Sequence, residues 1–380
     1  MRILHIWENY CPGLFDRSHH LCSVGGLYSE IVCQSLIYDG ISPDKNIYTN
    51  RQITPFEFNR TSLLKRLIRL VLLWRNNVLF CQLVAKRSRV ICPDFVHVHF
   101  GTTAAILALY NQLPNVNFIV SFYGVDISQS LKDKRIVKLY SQIFDRASIL
   151  HVLCQEAKSR LLDAGCASHK IRVSNLPIDL NQIPKLAFSP AQTTRFLIAA
   201  RFVEKKGHSI LLAAFQRLIS DGADVKLTCF GYGPSKWLKL KIYNLGLSDH
   251  VNLIDNKLTP DFLSDYLQLL QEHDVVVAPS LRARNGDDEG GPALTVIIAQ
   301  AAARPVIVSN FPGSELSVTN NVEGNVVQMN SIDNLYSAMY DLIANKQKWL
   351  GYGEAGRTRV NNEFSDSAFW TFLKECYGVC

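Results

Sequence analysis

The sequence predicts an α/β protein with two doubly wound parallel sheets, and three observations support this. Short apolar runs alternate with amphipathic segments, which is the pattern of buried strands separated by helices. The chain has 380 residues, more than one hydrophobic core usually accommodates. The alternation lapses over residues 175–194, where three prolines suit a connection between domains. We therefore predict one domain over residues 1–185, a second over 190–363, and a final aromatic-rich helix over 364–380.

The first half contains strand-like and helix-like segments in alternation. The predicted strands are Ile3–Trp7, Phe95–His99, Phe118–Ser121 and Ser148–Leu153. The predicted helices are Leu27–Asp39, Ala104–Leu113 and Ile136–Phe144.

The second half repeats this alternation. The predicted strands are Phe196–Ala200, Lys226–Gly231, Val251–Ile254, Val275–Ala278 and Val306–Val308. The predicted helices include His208–Ile219, Trp237–Leu245 and Pro292–Ala302. Doubly wound sheets bind ligands beyond the carboxyl ends of their strands, so the loops at these ends are the first candidates for chemistry. They follow Trp7, Ala200, Gly231 and Pro279.

The composition is that of a folded globular protein, with 48% hydrophobic and 19% charged residues, and it excludes a disordered chain. Residues 1–194 hold 22 Lys/Arg against 13 Asp/Glu, so the net charge of +7 arises in the first half. This charge suits an anionic membrane or a phosphorylated acceptor, and nothing beyond the charge favours nucleic acid. The ten cysteines form no CxxC pair and no Cys/His cluster at zinc spacing, so we expect free thiols and no metal.

The N-terminal residues lack the apolar stretch of a secretory signal, and no run approaches the ~18 apolar residues of a membrane span. We therefore expect a cytoplasmic protein that is at most peripheral on a membrane. Residues 59–93 hold eight Lys/Arg and no Asp/Glu among several leucines. This segment is either a basic amphipathic helix that lies on an anionic bilayer or a core helix with a solvated face.

The loop from Arg201 to Gly207 follows a predicted strand and opens a predicted helix. Arg201 and Lys206 would lie beside backbone N–H groups that favour an anion. A planar guanidinium and a compact ammonium can together neutralise a diphosphate. A solvated basic turn would have the same sequence, so the spacing alone leaves both interpretations open.

The segment 287–294 places Glu289 just before a predicted helix that begins at Pro292. Gly290 and Gly291 would let a ligand approach the backbone, and the Glu289 carboxylate could accept sugar hydroxyls. Helix capping by acidic residues is the alternative interpretation. A divalent metal is disfavoured because no spaced Asp-x-Asp closes a strand here.

Two glycine-rich turns are further candidates. Gly231 and Gly233 follow a predicted strand and could pack closely against a nucleotide. Gly25 and Gly26 precede the helix predicted from Leu27 and could form a cradle of backbone amides. Each turn is equally consistent with an ordinary connection.

In the first half, His99, Tyr123 and Asp126 end or follow strand-like runs and could face a cleft. His97 and His99 share one face of their strand, as a metal pair would require. No third ligand is apparent, so we predict hydrogen-bonded structural histidines rather than a metal site.

Taken together, these motifs resemble those of the retaining glycosyltransferases of family four. The matching segments of the second half are RFVEKKG (201–207), FGYGP (230–234), LGL (245–247), EGGP (289–292) and PVIVS (305–309). In the first half, VHFG (98–101), FYGVD (122–126) and AKSRLLDAG (157–165) are similar to the bacterial colanic acid and O-antigen branch. The resemblance implies the GT-B fold, in which two Rossmann-like domains face a cleft and a final helix returns to the first domain.

The resemblance also implies an activity: transfer of a hexose-type sugar from a UDP- or GDP-sugar to a glycan acceptor that is lipid-linked, with retention and without a metal. The first domain would bind the acceptor and the second the donor, in bacterial surface polysaccharide synthesis. It assigns Arg201 and Lys206 to the donor diphosphate and Glu289 to the transferred sugar. The implied donor-binding residues are Gly25, Gly26, Gly231, Gly233, Gly290, Gly291, Pro292 and Thr295, and the implied acceptor-side residues are His99, Tyr123 and Asp126.

Two departures from the family pattern leave an alternative open. The family carries a second Glu eight residues after the first, where this chain has Ile297, or Ile298 if the loop is one residue longer; Thr295 could compensate. The usual His before Gly is replaced by Tyr123. The alternative is a catalytically impaired relative that binds a glycan or a partner. A dinucleotide-dependent oxidoreductase is excluded because no GxGxxG follows the first strand.

Overall fold

The computed structural model describes residues 1–10, 21–22, 25–36, 47–49, 63–187, 192–256 and 262–379. For residues 8–10, 34–36, 47–49 and 63–74 it describes the backbone alone. The chain divides into two compact units. Unit 1 comprises Met1–Val152, Lys158–Val173 and Trp370–Cys380, and unit 2 comprises Leu153–Ala157 and Ser174–Phe369.

Unit 1 is built on a parallel sheet in the order β3-β2-β1-β4-β5-β6-β7. Its strands are β1 (Arg2–Tyr10), β2 (Tyr28–Leu36), β3 (Ile47–Thr49), β4 (Phe95–His99), β5 (Phe118–Ser121), β6 (Ile149–Val152) and β7 (Ile171–Val173). In β1, Ile3, Leu4 and Ile6 are fully buried, so both faces of this central strand are covered. This is the usual burial of a parallel sheet with helices on both sides.

The prediction of a helix over Leu27–Asp39 is wrong, because Tyr28–Leu36 form β2. This strand pairs with β1 on one side and β3 on the other. Ile31, Val32 and Cys33 are all fully buried, so the strand has two covered faces and no polar alternation. A short continuous apolar run of this kind cannot be distinguished from a buried helix by periodicity.

The helices that follow in unit 1 connect its strands. They are α1 (Leu63–Ile91), α2 (Gly101–Leu109), α3 (Lys134–Arg146) and α4 (Gln155–Asp163), the last of which begins in unit 2. The Asp133 carboxylate begins α3 by accepting a hydrogen bond from the Arg135 backbone N–H. Acidic residues are favoured at this position because the first N–H groups of a helix lack intrahelical partners.

Unit 2 contains a second parallel sheet, in the order β10-β9-β8-β11-β12-β13. Its strands are β8 (Thr194–Ala199), β9 (Val225–Gly231), β10 (Val251–Asp255), β11 (Val275–Ala278), β12 (Val306–Ser309) and β13 (Gly324–Val327). The chain builds the sheet outward from β8 in one direction and then restarts at β11 on the other side of β8. The order therefore reverses between β8 and β11, which makes this point the expected ligand position of the unit.

The helices of unit 2 are α5 (His208–Ser220), α6 (Lys236–Asn244), α7 (Phe262–Glu272), α8 (Leu294–Ala301), α9 (Ile332–Ala344) and α10 (Lys348–Glu363). The prediction that α8 begins at Pro292 is wrong. Ala293 has the extended conformation, with φ −72° and ψ 120°, and it is the cap that precedes Leu294. Pro292 therefore belongs to the loop rather than to the first helical turn.

The last helix, α11 (Asp366–Tyr377), carries the chain from unit 2 into unit 1. Within unit 1, the Tyr377 ring packs edge-on against Phe95, and Phe372 lies 4.8 Å from the His151 ring. The aromatic residues of this segment thus contribute to the core of unit 1. In the part of the chain that the structure describes, no helix is long and apolar enough to cross a bilayer.

Candidate functional site

The candidate site of unit 2 lies where β8 and β11 end side by side. These strands are paired in parallel, so the loops 200–207 and 279–291 leave the same edge of the sheet. Residues Glu204–Lys206 form a single turn of 3-10 helix, and Gly207 begins α5 with a left-handed φ of 72°. A Cβ at Gly207 would lie 1.9 Å from the Pro279 carbonyl oxygen. Only glycine therefore allows the two loops to pack this closely.

Glu289 is the centre of this arrangement. Its Oε1 accepts hydrogen bonds from Lys206 Nζ at 2.5 Å and from Ser280 Oγ at 2.8 Å. The Lys206 and Glu289 side chains are 18% and 11% exposed, so the ion pair is largely removed from water. Ser309 Oγ donates to the Ser280 carbonyl and fixes the backbone that carries the Ser280 hydroxyl. The two residues that the resemblance assigns to diphosphate and sugar are therefore in direct contact.

The surrounding cations control the protonation of this pair. Burial would raise the pKa of the Glu289 carboxyl, but Lys206, Lys205 and the Ser280 hydroxyl together lower the pKa to about 2. Burial lowers the pKa of the Lys206 ammonium, and the positive charges of Lys205 and Arg201 lower it further. The negative charge of Glu289 acts in the opposite direction and raises this pKa. Because several cations surround one carboxylate, the group retains positive charge that an anionic ligand can neutralise.

The acidic residues before Glu289 have partners of their own. Lys205 Nζ lies 3.0 Å from Asp287 Oδ1 and donates to the Asp288 carbonyl at 2.8 Å. Arg282 Nε donates to Asp288 Oδ2 at 3.1 Å. Both carboxylates are therefore engaged by cations of the protein.

Arg201 differs from these lysines. It is exposed, and its guanidinium makes no hydrogen bond or ion pair with any residue in the described ranges. Its charge is nevertheless close enough to Lys206 to lower the pKa of that ammonium. The guanidinium therefore remains available to an anion beside Lys206.

Gly231 and Gly291, two of the glycines that sequence analysis assigned to the donor, are close-packed against protein. A Cβ at Gly231 would meet the Ala200 carbonyl at 2.0 Å, and one at Gly291 would meet Leu153 Cβ at 2.4 Å. Gly233 has a φ of 118°, which a side chain would strain. At Gly231 and Gly291, protein atoms fill the space that a side chain would take, and the contact of these glycines with a donor stays a prediction.

The remaining donor candidates surround the start of α8. Gly290 is buried, and Pro292 lies in the loop. Thr295 is half-buried, and no described residue hydrogen-bonds to its hydroxyl. Ile297 and Ile298, which stand where the family has a second Glu, are only 2% and 3% exposed and belong to the core. A carboxylate at either position would be buried in this conformation.

The glycine turn of unit 1 departs from the predicted cradle. Gly25 and Gly26 are followed by strand β2, so no helix begins there, and residues 23 and 24 lie outside the described residues. A Cβ at Gly25 would lie 2.1 Å from the Trp370 ring, whereas Gly26 has open space around it. Gly25 is therefore required for packing against α11.

His97 and His99 are buried among hydrogen-bonding groups of unit 1. The sequence shows no third ligand beside them, and the structure corrects this, since ligand atoms of His5, His97 and His99 lie within 4.8 Å of one another. His5 Nδ1 is hydrogen-bonded to His99 Nε2 at 3.1 Å, and His97 Nδ1 to Tyr377 Oη at 2.8 Å. The His97 and His99 rings stack 4.1 Å apart with a 17° angle between planes, so their in-plane lone pairs do not converge. The arrangement fits structural histidines better than metal ligands.

The three acceptor-side candidates are close together but differ in exposure. His99 is 1% exposed, and Tyr123, which is half-buried, is hydrogen-bonded through Oη to His99 Nδ1 at 2.7 Å. Burial lowers the pKa of His99 well below its ordinary value, and His97 and His5 add to this, so the imidazole is neutral. Tyr123 is therefore the member of this group that has access to solvent.

Asp126 organises the loop after β5. Its carboxylate accepts hydrogen bonds from the backbone N–H groups of Gly101, Tyr123 and Gly124 at 2.8–3.0 Å. The residue is fully buried, so the expectation that Asp126 itself faces a cleft is wrong for this conformation. It positions Tyr123 instead.

Only part of the basic segment 59–93 lies among the described side chains. Arg87 in α1 forms an ion pair with Glu30 at 2.6 Å, and Lys86 and Arg89 line a cavity of about 430 Å³. The basic residues before Arg75 lie outside the described side chains. Membrane contact by this segment therefore stays a prediction.

Comparison with known proteins agrees with the fold and with the predicted family resemblance. Residues 182–359 match the family model described as Glycosyl transferases group 1. The amylovoran biosynthesis glycosyltransferase AmsK of Erwinia amylovora is 27% identical over 304 residues, which cover 79% of this chain and 74% of that protein. The putative colanic acid biosynthesis glycosyltransferase WcaL of Salmonella typhimurium is 25% identical over 62% of this chain and 58% of its own length. Anabaena HepE, solved in complex with UDP and glucose, has a TM-score of 0.73 at 16% identity, with full coverage of both chains.

The two Rossmann-like parallel-sheet domains have the GT-B fold. The chain is a glycosyltransferase with a group 1 domain, related to those of bacterial polysaccharide biosynthesis. The predicted resemblance to family four and the predicted GT-B fold are confirmed. Sequence analysis missed Lys205, Ser280 and His5. A second lysine beside Lys206 is a visible signal, but nothing in the sequence connects it to Asp287.

Proposed function

We propose that this chain transfers a hexose-type sugar from a nucleotide-sugar donor to a glycan acceptor, with retention of anomeric configuration, in the synthesis of a bacterial surface polysaccharide. The observation that carries the proposal is the contact of Lys206 and Ser280 with Glu289 at the β8–β11 strand ends, with Arg201 unpaired beside them among the described residues. Cations for a diphosphate and a carboxylate for sugar hydroxyls occur in one small group.

The chemistry follows from these charges. When the bond between the anomeric carbon and the diphosphate breaks, negative charge develops on the leaving diphosphate. Lys206 and Arg201 stabilise that charge, with the guanidinium providing a planar pair of donors and the ammonium a compact charge. The acceptor hydroxyl attacks from the face that the diphosphate leaves, and its proton passes to a departing phosphate oxygen. The configuration is retained, and no protein base is required.

The ion pair of Lys206 with Glu289 has a consequence for donor binding. Lys206 is hydrogen-bonded to Glu289 at 2.5 Å, so it must share or exchange this contact when the diphosphate arrives. The carboxylate then becomes free to accept a sugar hydroxyl. Binding of the diphosphate and binding of the sugar are therefore coupled, because the diphosphate draws Lys206 away from Glu289 and frees the Glu289 carboxylate for the sugar.

The donor is a UDP- or GDP-sugar in this proposal, and the structure of HepE with UDP and glucose supports a nucleotide of this kind in a related fold. No carboxylate is available at Ile297 or Ile298 for the ribose, so we propose that the Thr295 hydroxyl takes one ribose hydroxyl. We also propose that no divalent metal is needed, because Asp287 and Asp288 are already engaged by Lys205 and Arg282.

The acceptor is a lipid-linked glycan held by unit 1, with Tyr123 beside His99 available to bond a hydroxyl. The relatives AmsK and WcaL, which are named for polysaccharide biosynthesis, support a glycan acceptor. The enzyme would act at the inner face of the cytoplasmic membrane, where the basic segment 59–93 meets anionic lipid. Each Lys or Arg close to such a surface contributes about 1 kcal/mol.

The test is to titrate the purified full chain with several UDP- and GDP-sugars by calorimetry, and then to follow transfer by NMR of the anomeric proton. We expect one donor to bind and to yield a product with the donor's anomeric configuration, also in the presence of EDTA. Binding without turnover on any glycan acceptor would favour the impaired relative. The absence of binding to every donor, or an inverted product, would contradict the proposal.

A further inference from the structure

Lys205 is a buried lysine beside the candidate site, and the resemblance assigns it no role. The residue is 5% exposed, which is unusual for lysine because a buried ammonium loses its hydration. Burial of such a group requires partners, and Lys205 has two, the Asp287 carboxylate at 3.0 Å and the Asp288 carbonyl oxygen at 2.8 Å. Both partners immediately precede Glu289 in the chain.

The backbone of Lys205 makes a second attachment to the same loop. The Leu281 N–H donates to the Lys205 carbonyl at 2.7 Å, so Lys205 contacts the loop at its start and near its end. Between these points, the Ala283 N–H donates to the Asp287 carbonyl at 2.8 Å and closes the loop on itself. Lys205 of the β8 loop is therefore attached to the β11 loop at Leu281, Asp287 and Asp288.

We propose that Lys205 is a positioning residue for sugar transfer: it fixes the backbone at Asp288 and so holds the Glu289 carboxylate against Lys206 and Ser280. This inference rests on the proposed function. Lys205 does not contact the donor, since its ammonium is buried and two of its three protons are used within the protein. Its contribution is geometric, because a displacement of Glu289 by about 1 Å is enough to cost a large fraction of the rate.

The test compares Lys205→Met, which keeps the length of the side chain but removes the charge, with Lys205→Arg, which keeps the charge. The matched control is Lys185→Met, which breaks an ion pair with Glu354 whose partners are 49% and 48% exposed. The wild-type full chain and the three variants are assayed for kcat, for KM of the donor and for the dissociation constant of the nucleoside diphosphate.

We expect Lys205→Met to lower kcat about 100-fold while the dissociation constant of the diphosphate changes less than about threefold. Lys205→Arg should recover most of the loss, and Lys185→Met should match the wild type. The acid limb of the kcat profile should also move to higher pH in Lys205→Met, because Lys205 is one of the charges that lower the pKa of Glu289. An unchanged kcat, or an equal loss of diphosphate binding and kcat, would overturn the inference.

Hydrogen exchange measured by mass spectrometry makes the result independent of turnover. Without any donor, Lys205→Met should speed exchange in the peptide 281–291 and leave helix α9 unchanged, whereas Lys205→Arg should not. Unchanged exchange in 281–291 would overturn the positioning role even if kcat falls. If the wild type fails to bind or transfer any sugar while this exchange pattern appears, the proposed function fails and the attachment of the loop by Lys205 is upheld.

Discussion

Replacement of Glu289 by glutamine removes one charge from the site with little change in side-chain volume. In the wild type, the carboxylate accepts from Lys206 at 2.5 Å and from Ser280 at 2.8 Å. After the substitution, the Lys206 and Lys205 charges lose a shared counter-charge in a position that is largely buried. We expect a less stable protein whose site attracts anions more strongly.

The magnitude follows from the protonation of Glu289. The site lowers the pKa of its carboxyl from 4.5 to about 2, and a shift of this size corresponds to about 3 kcal/mol of folding free energy. Since the pKa in the folded state is the lower one, this contribution is fully present above the pKa of the unfolded chain and is lost as the pH falls towards 2. The difference in unfolding free energy between wild type and Glu289→Gln should therefore be about 3 kcal/mol at pH 7 and about 1 kcal/mol smaller at pH 4.

Guanidinium unfolding at both pH values measures this difference. The matched control is Glu354→Gln, which removes an exposed carboxylate paired with Lys185 and should cost less than about 1 kcal/mol. Glu289→Gln should also bind a nucleoside diphosphate about fivefold more tightly, because a repulsive charge near the phosphates is gone. It should transfer sugar about 100-fold more slowly. A stability difference that is small, or that grows as the pH falls, would refute the reasoning.

Three further substitutions test separate parts of the site. Arg201→Ala should leave the unfolding free energy within about 0.5 kcal/mol of the wild type, because the side chain is exposed. It should weaken diphosphate binding most at low salt, which calorimetry at two salt concentrations would measure. Gly207→Ala should lower the melting temperature, since its Cβ would lie 1.9 Å from a carbonyl oxygen and its φ of 72° costs about 1 kcal/mol or more; an unchanged melting temperature would contradict this packing. Thr295→Ala should weaken nucleoside diphosphate binding more than binding of inorganic pyrophosphate, and equal effects on both ligands would exclude a ribose contact.

Much of the fold could be predicted from the sequence because its strands are short apolar runs with clear ends. Phe95–His99, Phe118–Ser121 and Val275–Ala278 have the predicted bounds. Tyr28–Leu36 was predicted as a helix because a strand that is buried on both faces has no polar alternation. The start of α8 was misplaced because a proline is compatible with both a first helical turn and the preceding loop.

The candidate site was less accessible to sequence analysis because its contacts join distant segments. Lys206 and Glu289 are 83 residues apart, and motif spacing singles out each residue without giving the distance between them. The roles of Lys205 and Ser280 depend on the pairing of β8 with β11, which no local pattern encodes. Asp126 was selected for its place after a strand, but burial and three backbone N–H groups decide what it does.

Stabilisation of a departing nucleoside diphosphate by Lys206 and its neighbours is the basis of the proposed function. Its most direct test is the rate of sugar transfer by Lys206→Met, measured beside Lys185→Met with the donor that the wild type uses. If Lys206 stabilises the leaving diphosphate, Lys206→Met should lower kcat about 10²–10³-fold, which is the usual effect of removing one donor to a developing anion. Lys185→Met should turn over at the wild-type rate. Turnover by Lys206→Met within about fivefold of the wild type would contradict this role of Lys206.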